Sequence, residues 1–184
     1  MNDLRNRISS LLRRVAMIEG LSGQDLSGQD WSGVDLSGTD LSRVNFRGSD
    51  LRNANLDGAK LDKANLSRAN LSGASLKGAV LDEVLLYKAN LSDCDFTGSE
   101  IRNSVASTTD CTRANFRNAL VDGSNFNYSN FKDALLINGS FISTDFMDCD
   151  FTHTNMTSSD FYDSSFGGTC LASAFKTKTR NLIR

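Results

Sequence analysis

An apolar residue returns at every fifth position over most of the chain. The 31 consecutive centres of this pattern run without insertion or deletion from Leu21 to Leu171, mostly Leu in the first half and mostly Phe in the second. A step of five scatters side chains around an α-helix and puts them on alternate faces of a continuous strand. A small residue, often Ala, lies two positions before most centres, which is same-face spacing in extended backbone. The pattern therefore predicts short extended pieces joined by corners and wound into a coil.

The residues that follow each centre indicate how the corners are made. Gly or Asn lies two positions after many centres, as at Gly23, Gly58 and Asn53, and these residues readily supply the positive φ of a tight turn. Elsewhere a long basic side chain takes the same position. There we expect a different turn type, at Arg43, Lys63, Arg68 and Lys88.

Stretches such as AKLDKANLSRANLSGASLKG resemble the A-[DN]-L-x-x pattern of the pentapeptide-repeat proteins, and the resemblance covers about residues 20–175. It implies an all-β fold, a right-handed quadrilateral β-helix with four pentapeptides in each coil and the centres stacked inside. The 31 centres then make about eight coils. At ordinary strand spacing the rod would be roughly 37 Å long.

Three segments follow from this pattern. Residues 1–19 carry apolar side chains at helical spacing and form a predicted amphipathic helix that caps the first coil. The alternative is a basic helix on a membrane surface. Residues 20–175 form the predicted solenoid, and residues 176–184 a basic C-terminal tail.

One coil breaks the interior pattern, because Ala106 and Cys111 occupy centres that elsewhere hold a large side chain. Loss of a Leu-sized centre leaves a cavity unless the walls adjust. Three interpretations stay open: a junction between two differently packed halves, a bend in the rod, or a binding cleft.

The charge is unevenly spread although the net charge is only −2. Residues 21–175 carry 20 acidic and 12 basic side chains, and residues 141–170 contain five Asp and no Lys or Arg. Such a surface is either solubilising or an acidic patch for a basic partner. No leading signal or membrane-spanning run is seen, so we expect a cytoplasmic protein without a membrane partner.

The sequence contains no motif typical of a catalytic or ligand-binding site, and we expect no catalytic residue, cofactor site or metal site. The single histidine, His153, lies two positions after a centre and should face solvent. Cys94, Cys111 and Cys149 should be buried, Cys170 should face outward, and their spacing suggests no zinc site. Basic patches interleaved with aromatic residues are absent, so direct nucleic-acid binding is not expected. Carbohydrate-active β-helices are the enzyme alternative, but an uninterrupted register has no long loop to build a cleft.

Several outward positions carry apolar side chains, which a partner would cover. With a coil of 20 residues, Leu85 stacks on Val105 and Ile142 stacks on Tyr162. The predicted interface residues are Leu85, Tyr87, Val105, Leu120, Ile142 and Tyr162. Self-association through these residues or through the solenoid ends is a further expectation.

These observations predict a non-catalytic, rigid scaffold for protein–protein interaction with an unidentified partner. The alternative comes from the resemblance: some pentapeptide-repeat proteins mimic duplex DNA, bind DNA gyrase or topoisomerase IV, and confer quinolone resistance. Against it, those proteins are more acidic, dimerise through an apolar C-terminal helix and often have interrupting loops. Here the tail FKTKTRNLIR is short and basic.

Overall fold

A computed structural model describes residues 20–182, which form a β-helical solenoid. Its β-structure consists of isolated parallel bridges, each between residues 20 positions apart, from Asp25↔Asn45 to Asp160↔Arg180. Because a bridging residue occurs at every fifth position, each 20-residue coil has four sides. The described residues contain no α-helix and no longer strand. The predicted capping helix at 1–19 lies outside the described residues, and the right-handed winding stays a prediction.

We number eight coils from residues 21–40 (coil 1) to 161–180 (coil 8). Four sides are named by their centres: side 1 carries Leu21 and every twentieth residue after it, and sides 2, 3 and 4 likewise start at Leu26, Trp31 and Leu36. On each side the centre and the residue two before it point inward, as Leu71 and Ala69 do on side 3. The residue before the centre and the two residues after it face outward.

Each side is a narrow ladder of backbone hydrogen bonds between successive coils. The Leu51 amide donates to the carbonyl of Asn70 at 2.7 Å, and the Asn70 amide donates to the carbonyl of Ser49 at 2.9 Å. The Asp or Asn that precedes most centres also closes the local corner. The Ser67 amide, for example, donates to Oδ1 of Asn65 at 3.1 Å, which is an Asx turn. This bond explains why the outward position so often holds Asp or Asn.

The expectation of a second turn type at basic corners is wrong. Arg43, Lys63, Arg68 and Lys88 have φ between 58° and 60°, the same left-handed conformation as the glycines at equivalent positions. The corner amide is held by the next coil, as where Arg43 N donates to the Asp62 carbonyl at 2.8 Å. Coil-to-coil bonding therefore imposes one corner conformation on every residue type.

The coil that contains Ala106 and Cys111 keeps the register of its neighbours. Val105 bridges to Leu85 in the preceding coil and to Asn125 in the following coil. Both small centres, Ala106 and Cys111, are fully buried. Large rings lie on side 4 of the same region, where Phe96 and Phe116 stack with centroids 4.8 Å apart. Small centres on two sides thus lie in the same coil as a stacked ring on a third side, and the junction interpretation stays a prediction.

The C-terminal boundary lies further along the chain than predicted. Asp160 bridges to Arg180, and the Thr179 hydroxyl donates to the Met156 carbonyl at 2.8 Å. The first five residues of the predicted tail 176–184 thus complete coil 8, so the solenoid extends to about Arg180.

Candidate protein-interaction surface

Five large apolar side chains are exposed on side 2, and we call them the side 2 apolar surface. They come from four successive coils and are 38–64% exposed. The members are Leu85, Tyr87, Val105, Tyr128 and Met147. Two further exposed apolar residues, Tyr162 and Phe175, lie on sides 1 and 4. Side 2 therefore carries most of the exposed large apolar side chains among the described residues.

The first part of this surface is a bridged pair. Leu85 and Val105 are each 42% exposed and lie directly opposite each other in adjacent coils. The amide of Leu86, the buried centre behind them, donates to the Val105 carbonyl at 2.7 Å. Beside the pair, Lys88 Nζ lies 5.2 Å from the centroid of the Tyr87 ring. The backbone therefore presents these side chains in a fixed arrangement.

The second part joins coils 6 and 7. The Tyr128 amide donates to the Met147 carbonyl at 2.8 Å, and the Met147 amide donates to Oδ1 of Asn127 at 2.7 Å. The Asn127 side chain thus crosses from one coil to the next and holds the backbone beneath Met147. Tyr128 is 64% exposed because it occupies a corner.

The structure separates the predicted interface residues into two groups. Leu85, Tyr87 and Val105 lie on side 2, whereas Leu120, Ile142 and Tyr162 lie on the adjacent side 1. Leu120 and Ile142 are only half exposed, and the Ile142 amide donates to Oδ1 of Asp122 at 3.0 Å. The six residues do not form one surface.

Sequence reasoning missed Tyr128 and left Met147 out of the predicted interface. The 20-residue period alone places both residues on side 2. That side contains residues 85, 105, 125, 145 and 165, and also the residues two and three positions after each of them. Tyr128 and Met147 fall in those columns. The spacing did not show that Tyr128, at a corner, would be as exposed as the residues on the face of side 2.

Two further features of residues 20–182 are a His–Asp contact and a depression at the C-terminal end. Among residues 20–182 no group of three or more His, Cys, Asp or Glu side chains is placed to hold a metal ion. His153 Nδ1 lies 3.4 Å from Oδ1 of Asp133 on side 3, and both side chains are half exposed. A depression at the C-terminal end is lined by side chains without a titratable group: Phe166, Gly167, Gly168, Thr169, Leu171 and Ala172.

The cysteines are placed as the sequence predicts: Cys94, Cys111 and Cys149 are buried and Cys170 is exposed. Burial raises the pKa of the Cys94 and Cys149 thiols to about 12, and it raises the pKa of Cys111 as well. Since the thiolate is the reactive form, these three groups are inert at neutral pH.

Residues 20–182 contain no helix, and hence none that is long and apolar enough to cross a membrane. A search among curated proteins finds no match to this chain.

Solved structures with a similar backbone include full-length QnrB1, a plasmid-mediated fluoroquinolone resistance protein. Its TM-score is 0.63 at 19% identity, and the alignment covers 87% of this chain and 86% of QnrB1. A trypsin-treated QnrB1 variant gives 0.59 at 21% identity, covering 82% and 88%. HetL, a pentapeptide-repeat protein from the cyanobacterium Nostoc, aligns over 86% and 87% at 21% identity with a TM-score of only 0.35. The first two likenesses establish the fold.

The sequence profile described as Pentapeptide repeats matches in eight copies, over residues 21–58, 30–68, 64–103 and 129–168. These matches span well over half of the chain and include both Leu-rich and Phe-rich coils. The chain belongs to the pentapeptide-repeat family.

Proposed function

We propose that this protein is a non-catalytic, rigid scaffold that binds another protein chain through the side 2 apolar surface. The observation that carries the proposal is the collection of Leu85, Tyr87, Val105, Tyr128 and Met147 on one side of the rod. Contiguous exposed apolar patches mark interaction sites, and aromatic residues and Met are enriched where proteins meet. The backbone beneath the surface is hydrogen-bonded at each coil, so binding requires little ordering of the scaffold.

Site-specific photo-crosslinking in the cells that make the protein tests this proposal. A benzoylphenylalanine at position 85 should give a covalent protein adduct, and the Val105→Asp substitution should abolish it. Position 80 is the matched control, because Val80 occupies the same bridging position on side 1. Equal adducts at positions 80 and 85, or an adduct at 85 that survives Val105→Asp, would contradict the proposal.

A second candidate is a DNA-mimicking protein that binds DNA gyrase or topoisomerase IV. It is supported by the acidic C-terminal coils, where Asp145, Asp148 and Asp163 are exposed and no Lys or Arg occurs between residues 141 and 170. The likeness to QnrB1, below 25% identity, supports only the rod shape. Gyrase supercoiling measured with excess protein, with and without a quinolone, should change if this candidate is right. Unchanged supercoiling in both conditions would eliminate it.

The proposal places the protein in the cytoplasm, where reducing conditions keep an exposed thiol such as Cys170 unpaired. Cell fractionation would overturn this location if the protein were recovered only with membranes or outside the cell.

A further inference from the structure

Charged side chains flank the side 2 apolar surface in a definite order. Arg47, Arg68 and Lys88 lie on side 2 of coils 2, 3 and 4, towards the N-terminal end. Asp145 and Asp148 lie on side 2 of coil 7, towards the C-terminal end. All five side chains are exposed. From coil 2 to coil 7, side 2 thus changes from basic through apolar to acidic, and Asp25 adds an acidic side chain in coil 1.

These charges form no ion pair within the described part of the chain. The ion pairs that join described residues lie on sides 1, 3 and 4: for instance Lys63–Glu83 on side 1, Arg113–Asp93 on side 3 and Lys77–Asp95 on side 4. Arg68 and Asp148 also cannot reach each other within one rod, because four coil spacings of about 4.8 Å separate them by roughly 19 Å. Side 2 therefore presents a basic group and an acidic group that are separated along the rod.

A surface with this order is complementary to itself when the second rod runs in the opposite direction. A two-fold axis in the contact plane, perpendicular to the rod at coil 5, places coil 3 of one rod opposite coil 7 of the other, and coil 4 opposite coil 6. Arg68 then faces Asp148, and Lys88 faces Tyr128, since all four occupy the same corner position. Val105 meets the Val105 of the other copy near the axis. A parallel arrangement would instead place the basic coils of the two rods beside each other.

We propose that the chain that covers the side 2 apolar surface is a second copy of this protein, packed side 2 to side 2 in antiparallel orientation. Two-fold dimers use one patch twice, and each complementary contact therefore occurs twice. Val105 meets itself at the centre of the contact, and the charges on either side of it set orientation and register. A cation facing an aromatic ring, as Lys88 would face Tyr128, adds to the attraction. This inference rests on the proposed function, because it names the partner for the same surface.

Sedimentation of the purified full chain with charge-reversed variants tests the inference. The protein should be mostly dimeric at about 100 μM. Arg68→Asp or Asp148→Arg alone places like charges together twice, and self-association should weaken by at least about 100-fold. An equimolar mixture of these two variants should dimerise again, because every contact across a mixed pair joins opposite charges. Lys132→Asp, which reverses an exposed charge on side 3, is the control and should stay dimeric.

The outcomes separate this inference from the proposed function. Two monomeric variants that form a dimer on mixing would establish the antiparallel contact. A dimer unaffected by either reversal, or a mixture that stays monomeric, would overturn it. A wild-type monomer that still gives a Val105-dependent adduct with a different protein at position 85 would overturn the second copy as partner and leave the proposed function standing. A wild-type monomer without such an adduct would overturn both.

Discussion

Coils 3 and 7 of the solenoid solve the same packing problem with different side chains. In coil 3 all four centres are Leu, and the small inward residues are Ala64, Ala69, Ala74 and Ala79. In coil 7 the centres are Phe141, Phe146, Phe151 and Met156, and the small inward residues are Thr144, Cys149, Thr154 and Ser159. The outer backbone is the same in both, with parallel bridges at every fifth residue. The repeat thus fixes the shape of the tube and leaves its filling variable.

The two fillings are held by different interactions. Coil 7 rings lie against rings of neighbouring coils, with Phe131 and Phe151 stacked at 4.8 Å and Phe126 and Phe146 at 5.9 Å. Offset stacking adds stability beyond apolar burial. The inward Thr and Ser hydroxyls donate to carbonyls of the preceding coil, as Thr154 does to Phe131 at 2.7 Å. Coil 3 makes neither contact and relies on burial of Leu and Ala alone. Positions 80 residues apart occupy the same site in the two coils and allow direct tests.

The largest effect is expected from removing one centre in each coil. Phe151→Ala should lower the free energy of unfolding by about 4–5 kcal/mol, because it leaves a large cavity and removes the stack on Phe131. Its counterpart Leu71→Ala should cost about 3 kcal/mol through the cavity alone. Urea unfolding of both variants measures the difference. Equal losses would show that neither the larger cavity nor the lost stacking adds to the cost.

A smaller loss of stability is expected at Gly139, where the Phe141 ring packs against the glycine Cα. A Cβ added at Gly139 would lie 2.4 Å from Cε2 of Phe141 and 3.2 Å from the Leu136 carbonyl oxygen. Gly139→Ala should therefore displace the ring and cost about 1–3 kcal/mol. At the matching position in the Leu-rich half, Ala59 is already accommodated beside Leu61. There the reverse change, Ala59→Gly, should lose about 1 kcal/mol through chain entropy. A Gly139→Ala variant as stable as the wild type would contradict the close fit.

The inward hydroxyls should contribute less than the rings. Thr154→Val keeps the shape of the side chain and removes its bond to the Phe131 carbonyl, which still accepts the Ala134 amide at 3.0 Å. The expected loss is about 1 kcal/mol in urea unfolding. Ala74→Ser places a hydroxyl at the matching site of coil 3, with the Leu51 carbonyl 23 residues earlier as its acceptor. The change in stability there should stay within about 0.5 kcal/mol, because a new bond offsets the burial of a polar group. A loss of several kcal/mol would mean that Leu-rich coils exclude such bonds.

The sequence predicts the tube better than its surface, and the corners show why. Centres and small residues report the interior directly, so the buried column from Leu36 to Phe161 follows from spacing alone. The turn at Arg68 does not, because residue type favours one conformation and the hydrogen bond from its amide to the Tyr87 carbonyl at 2.8 Å enforces another. A residue's intrinsic conformational preference is overridden where its amide donates a hydrogen bond to the neighbouring coil.

The candidate surface was predicted only in part for a related reason. Leu85 and Val105 were recognised because they break an outward-polar rule and pair at one coil spacing. Tyr128 occupies a corner, and its place beside them depends on the left-handed backbone at φ 63°. The C-terminal boundary was misplaced because Lys176 interrupts the apolar pattern, whereas the bridge at Arg180 needs only backbone atoms.

The smallest effects are expected at the corners, where the two coils differ in residue type and agree in conformation. Ser158 in coil 7 and Gly78 in coil 3 occupy matching corners with φ of 62° and 61°. A side chain in this conformation is strained by roughly 1–2 kcal/mol, and glycine loses roughly 0.5–1 kcal/mol more chain entropy on folding. Ser158→Gly should therefore stabilise the protein by about 0.5–1 kcal/mol, and Gly78→Ser should destabilise it by a similar amount. No atom lies within 4 Å of a Cβ built at Gly78, so the change measures conformational strain without a steric clash. Thermal unfolding of both variants measures the two shifts. Equal and opposite shifts would mean that the corners, unlike the interiors, are interchangeable between the two halves. Shifts of the same sign would show that the filling of the tube also alters its corners.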